Sequence, residues 1–189
     1  MGHSQAEKAQ NRERILSEAA RQIREGGLES LSVATLMGRV NLTHGGFYGH
    51  FASRSELIAQ ALERALCEGE GKARASDDPD RQATASAMAK SYLSRAHRDA
   101  PDTGCAIAAL ISDVGRADAH CRAVMEPHIE TFIAKAARVL GSESEDEAIL
   151  AVSAMVGALA ISRVVTDPKR SDAILRMVRD AVIAMGSTD

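Results

Sequence analysis

The stretch from Leu28 to Leu57, LESLSVATLMGRVNLTHGGFYGHFASRSEL, constrains the fold more than any other part of the chain. Ser32 is placed to cap a short helix whose Val33, Leu36, Met37 and Val40 face inward. Asn41 follows, a residue that tolerates the left-handed backbone of a tight turn. Thr43 can cap a third, very short helix carrying Phe47 and Phe51. Ser53-Arg54-Ser55-Glu56 is a capping box, and it opens a long helix with Leu57, Ile58, Ala61, Leu62, Ala65 and Leu66 on one side. Upstream, Ile15, Leu16, Ala19, Ala20 and Ile23 recur with helical spacing between Gln10 and Gly26, where Gly26-Gly27 stops the helix. So many starts and stops in so little chain predict a small three-helix unit. A unit that small needs bulky side chains for its core, which accounts for the crowding of Phe47, Tyr48 and Phe51, three of the five aromatics in 189 residues.

The remainder reads as helices throughout. Gly69 to Pro79 is a small, polar, acidic connector, and Asp78-Pro79 predicts the start of a helix reaching about Arg98. A nearly all-apolar helix follows from Gly104 to Val114. Another spans Asp118 to Leu140, closed by Gly141 and expected to kink at Pro127. Ser144-Glu145-Asp146-Glu147 is a second capping box, opening a strongly apolar helix from Ala148 to about Val165. A last helix after Pro168 aligns Ile174, Leu175, Val178, Ala181, Val182 and Met185. With no strand alternation and no repeat, the expectation is an all-α fold of about nine helices. A helix-turn-helix head at 1–54 is expected to precede a larger helical body at 55–189.

Charge and composition narrow the function. The net charge of −3 gives no global attraction to nucleic acid. Yet no acidic residue lies between Ser30 and Arg54, where Arg39, His44, His50 and Arg54 stand, as suits a surface that approaches phosphates. No segment reaches the roughly 18 consecutive apolar residues of a membrane span. Cys67, Cys105 and Cys121 are too few and too scattered for a disulfide framework, so the chain reads as cytoplasmic. No G-x-S-x-G, P-loop or dinucleotide turn is present, so neither an enzyme nor a cofactor is expected.

Residues 28–57 closely resemble the DNA-binding head of TetR-family (tetracycline-repressor-like) regulators. The most telling part is Thr43-His44-Gly45-Gly46-Phe47-Tyr48-Gly49-His50-Phe51 followed by Arg54, Glu56 and Leu57. The resemblance implies a recognition helix in the major groove, with Tyr48, His50 and Arg54 on phosphates and Thr43 and His44 on bases or phosphates. Ser32, Arg39 and Gly45 complete the candidate set. Two positions depart from the family pattern. Gly46 stands where a hydroxyl is common and Gly49 where a larger contacting side chain is, and each glycine costs a helix about 1 kcal/mol relative to alanine.

The resemblance also implies a homodimer built on the last two helices, for which Val156, Leu159, Ala160, Ile174 and Val178 are the candidates. A two-fold dimer is what a helix-turn-helix needs to read half-sites about 34 Å apart. It further implies a small-molecule pocket in the body, for which Tyr92, Cys105, Ala109, Met125, Phe132 and Met155 are the candidates, although residues of these types are more often plain core. The function expected is a ligand-responsive repressor on a pseudopalindromic operator, released by an unknown inducer. The alternatives are a thiol- or metal-responsive regulator of the same fold, or an interaction protein that does not bind DNA. Cys105, at the start of an apolar helix, is the candidate thiol, with His97 or His120 as conceivable partners, though a Gly-Cys pair also fits a tight corner. Cys121 and His128 share a helix face with His120 beside them, but that spacing is poor for zinc, and no metal site is expected.

Overall fold

The computed structural model describes residues 5–75, 84–141 and 145–186. Among them there is no strand. The α-helices are α1 (Gln5–Gly26), α2 (Val33–Arg39), α3 (Arg54–Ala75), α4 (Ala85–Tyr92), α5 (Arg95–Asp99), α6 (Ala106–Arg116), α7 (Ala119–Leu140), α8 (Glu145–Val164) and α9 (Pro168–Met185), with short 3₁₀ helices at Leu28–Ser30 and His44–Gly49. The fold is all-α, as the sequence predicts.

Most helix ends follow from their caps. Ser53 Oγ accepts from the Glu56 amide at 3.1 Å, while Glu56 reaches back to the Ala52 amide at 2.7 Å, closing the box at the head of α3. Asp118 caps α7, Asp167 caps α9 with Pro168 just inside, and Gly141 ends α7 in the left-handed conformation. The helix expected to run from Pro79 to Arg98 is two helices. The Thr84 hydroxyl caps α4, and Ser94 restarts the chain by accepting from the His97 amide at 3.1 Å. Leu93 between them is buried, so the break drives a leucine into the core at the cost of one turn of helix. Asp78, Pro79 and Ser144 lie outside the described residues. α7 passes through Pro127 as a single helix.

Buried apolar side chains from Ile15 to Val182 form one connected core. In the head, Ile15, Ala19, Ala20 and Ile23 of α1 meet Leu36, Met37, Phe47, Phe51, Leu57 and Leu62. Phe47 stacks on Phe51 at 5.6 Å and takes Tyr48 edge-on at 5.2 Å. α3 is about 33 Å long at the usual helical rise. It packs on α1 in the head and on α6 and α7 in the body. The buried Leu57 and Leu62 of α3, which lie beyond the boundary expected at 54/55, thus belong to the helix that packs on α1.

Polar contacts join head to body. Arg24 at the end of α1 is buried, and its guanidinium donates to the Asp102 carbonyl (2.5 Å), the Ala65 carbonyl (3.3 Å) and the Glu68 carboxylate (2.9 Å). Asp113 of α6 accepts from the Leu28 amide at 3.1 Å. It fills the space beside Gly27, whose φ of +82° and ψ of 171° belong to a region that only glycine adopts readily.

Among the described residues, α8 is long and apolar enough to cross a membrane by length and composition alone, although no unbroken apolar run marks it in the sequence. Its Ala148, Ala151, Val152, Met155 and Leu159 are buried in the core of the fold.

Candidate nucleic-acid interface

The turn after α2 is built from its own backbone. Ser32 accepts from the Thr35 amide at the start of α2. At its end Asn41 takes φ +57°, as its residue type predicts, letting the Leu42 amide reach back to the Met37 carbonyl at 2.9 Å. Arg14 on α1 clamps the turn by donating to the Val40 carbonyl at 2.6 Å. The segment that follows is a 3₁₀ helix, His44–Gly49, in place of the short α-helix expected. Thr43 occupies its N-cap without a side-chain bond, and the Gly46 amide closes onto the Thr43 carbonyl at 3.0 Å. Glycines at 45, 46 and 49 lower the preference for an α-helix, and the tighter winding still buries Phe47. A Cβ at Gly45 or Gly49 would meet nothing within 4 Å, so core packing does not demand glycine there.

This construction turns one edge of the head outward. Ser32, Arg39, Thr43, His44, Gly45, Tyr48 and Arg54 are exposed, Tyr48 to 69 %, and His50 is half-buried against Phe51. The eight candidates thus share the surface of α2, the turn, the 3₁₀ helix and the first residue of α3. Their charge is less free than the sequence window suggests. Arg39 pairs with Glu18 at 3.1 Å, and Arg54 with Glu29 at 3.3 Å. Hydrogen bonds from Arg21 first, then from Gln22 and Arg39, hold the Glu18 carboxyl down at about 2. Arg54 also donates to the Leu31 carbonyl at 3.1 Å, so it positions the approach to α2 as well as facing solvent. The acid-free window is free of acids along the chain, but folding lays acids from outside it alongside.

Arg12 and Arg14 escaped the sequence reading. The Arg12 guanidinium lies 4.9 Å over the Phe51 ring and bonds Gln60. Both arginines belong to the polar face of α1, and nothing in their spacing distinguishes them from solvated residues.

Residues 15–61 match the family model of bacterial regulatory proteins of the tetR family. The match covers the head and the first turns of α3, and beyond it the likeness to known proteins is one of fold. The chain is similar over its whole length to the TetR-family transcriptional regulator of Cytophaga hutchinsonii, at 18% identity, TM-score 0.80 and full coverage of both chains. A TetR-family regulator of Agrobacterium tumefaciens aligns at 18% identity and TM-score 0.76 over 92% of this chain and 98% of its own. The reduced form of Escherichia coli NemR aligns at 16% and 0.71 over 92% and 95%. No curated protein sequence matches.

Behind the head, the candidate pocket residues form part of a packed interior. Met125 and Met155 are fully buried, Ala109 and Phe132 are half-buried, and the Tyr92 and Phe132 rings meet at 5.3 Å. A surface cleft of about 390 Å³ opens elsewhere, lined by Arg98, Arg163, Ser162 and Ser171 among others and by none of the six candidates. Cys105 is the N-cap of α6 and half-buried. Its amide donates to His97 Nε2 at 2.9 Å, while His97 Nδ1 lies 2.7 Å from the Tyr92 carbonyl. That pair of bonds requires a neutral imidazole protonated at Nδ1, and burial, aided by Arg163, holds His97 below its ordinary value. The Tyr92 hydroxyl is buried without a hydrogen bond of normal geometry, and burial, then the neighbouring Cys105 thiol, pushes the phenol well up. A Cβ on Gly104 would come within 3.0 Å of His97 and the Ala100 carbonyl, so this corner does demand glycine. Of the two partners considered for the thiol, the fold brings up His97, through the Cys105 backbone.

The candidate dimer residues divide. Val156 and Leu159 are buried within the chain's own core, whereas Ala160, Ile174 and Val178 are half-exposed. Leu150, Ser153, Gly157, Ile161 and Val164 follow one another along an outer face of α8, and Met177 is exposed on α9. Cys121 and His128 are not partners: the buried Cys121 thiol faces Asp118, and His128 faces Glu63.

Proposed function

We propose that this chain is a dimeric, ligand-responsive repressor that binds a pseudopalindromic operator through the edge formed by Ser32, Arg39, Thr43, His44, Gly45, Tyr48, His50 and Arg54. The observation that carries the reading is the exposure of His44 and Tyr48 on a segment anchored from behind by Phe47 and set by the turn at Asn41. Bulky polar side chains on a buried anchor fit a groove better than they fit solvent. Arg39 and Arg54 reach phosphates after exchanging Glu18 and Glu29 for them.

The outer face of α8 from Leu150 to Val164, with Met177, Ile174 and Val178 of α9, is the surface we assign to the second copy. Large apolar side chains spaced along one helix face, with Gly157 allowing close approach, suit packing against the same pair of helices across a two-fold axis. For the inducer, the buried Tyr92 hydroxyl is the polar group of the body interior that a ligand atom would satisfy, with Phe132 and Met125 as apolar walls. An operator selected from random duplex tests the reading. Binding should be specific, and its log affinity should fall linearly with log salt. Equal affinity for the selected and a scrambled duplex at physiological salt overturns it.

A further inference from the structure

We propose that Glu63, Cys67 and His128 form a binding site for a divalent transition-metal ion of the zinc class, bridging α3 and α7. Glu63 and Cys67 stand one helical turn apart on α3, so both project from the same face. His128 comes from the middle of α7, with its side chain 13% exposed. Cys67 Sγ lies 3.3 Å from one carboxylate oxygen of Glu63, and His128 Nε2 lies 3.3 Å from the other. One donor atom from each of the three residues falls within 4.8 Å of the other two.

Those separations suit coordination. Zinc holds sulfur at about 2.3 Å and nitrogen or oxygen at about 2.0–2.1 Å, so tetrahedral neighbours lie roughly 3.3–3.5 Å apart. Both contacts to the Glu63 carboxylate already match that spacing, and the three donor atoms, within 4.8 Å of one another, close on one ion by side-chain movements of about 1 Å. The donor set selects its class as well. Thiolate, imidazole and a single carboxylate favour zinc, cobalt(II) or nickel(II) over magnesium or calcium, which prefer all-oxygen shells. On binding, the Cys67 thiol gives its proton to solvent, His128 coordinates through Nε2 as neutral imidazole, and Glu63 exchanges its hydrogen bonds for a metal–oxygen bond. Three protein ligands leave a fourth position for water, and with Glu63 and Cys67 exposed the ion can exchange. An ion here cross-links the helix leaving the head to a central helix of the body.

The test is cobalt(II) titration of the reduced full-length protein by absorption spectroscopy, with zinc competition. One equivalent should give tetrahedral d–d bands and a thiolate-to-cobalt charge-transfer band, both displaced by zinc. Cys67→Ser should abolish the charge-transfer band, while Cys105→Ser and Cys121→Ser keep it. His128→Ala and Glu63→Gln should each weaken affinity roughly tenfold or more. Glu63 and Cys67 are exposed, so those two variants fold, as circular dichroism will verify. A charge-transfer band that is absent from the wild type, or that survives Cys67→Ser, overturns the proposal. Unchanged affinity in Glu63→Gln does the same.

Discussion

Replacing Gly27 by alanine attacks the joint between head and body at one atom. Gly27 sits at φ +82° and ψ 171°, and an alanine forced to stay there carries about 1–3 kcal/mol of backbone strain. The new methyl would stand 2.3 Å from Asp113 Oδ2, so that carboxylate must swing away. Its departure removes the bond to the Leu28 amide, a loss of about 1–3 kcal/mol for a largely enclosed donor. The two effects together predict a destabilisation of about 4 kcal/mol, or roughly 12 °C in a chain of this size. Gly49→Ala is the matched control, because its Cβ would enter open space and its φ is not positive. It should leave stability within about 1 kcal/mol, in the stabilising direction. Both changes are read by urea denaturation followed by circular dichroism. A Gly27→Ala protein within about 1 kcal/mol of wild type would refute the reasoning from backbone strain and the Asp113 contact.

Four further outcomes are expected. Arg54→Ala should weaken operator and non-specific DNA alike and also lower stability by about 1–2 kcal/mol, because its bond to the Leu31 carbonyl is lost; anisotropy and denaturation on one preparation separate the two effects. Tyr92→Phe should leave apo stability unchanged or raise it by about 1 kcal/mol, since it removes an unsatisfied buried hydroxyl, and thermal melting reads this directly. His97 is depressed in the folded chain, so its contribution is fully present above the unfolded value near 6.5. It is lost as pH falls through the folded value, where the unfolded chain binds the extra proton; wild type should lose stability across that acid range and His97→Asn should not. Leu150→Glu or Val164→Glu should yield a folded monomer in sedimentation, whereas Leu159→Glu should fail to fold because that leucine is fully buried.

Local signals in the sequence are legible because each is decided within a few residues. Ser32, Ser53 with Glu56, Asn41, Asp118 and Pro168 all do in the fold what their types predict. The outward turn of Tyr48 is legible for the same reason, since it lies between Phe47 and Phe51, both of which the core takes in. Contacts across the chain were not legible. Glu18 meets Arg39 only once α1 packs beside α2, and Glu29 meets Arg54 only once the Leu28–Ser30 turn reaches the start of α3, so a charge count along the sequence overstates the free positive charge. Leu159 and Ile161 lie on one apolar helix, and only the packing of α9 and α7 against it decides which faces outward. Along the sequence His128 shares a helix face with Cys121, whereas in the fold its neighbour is Glu63 of α3, sixty-five residues earlier.

The unbroken run of α3 from head to body has a mechanical consequence. A helix about 33 Å long behaves as a stiff rod, so tilting it by about 5° about its body end displaces the other end by about 3 Å. In the proposed dimer, opposite tilts in the two copies change the separation of the recognition segments by about 6 Å. That is close to two base-pair steps, set against a half-site repeat of about 34 Å. In that proposed assembly, side-chain shifts small enough to fit inside a packed core at the base of α3 would become a misfit large on the scale of a base-pair step.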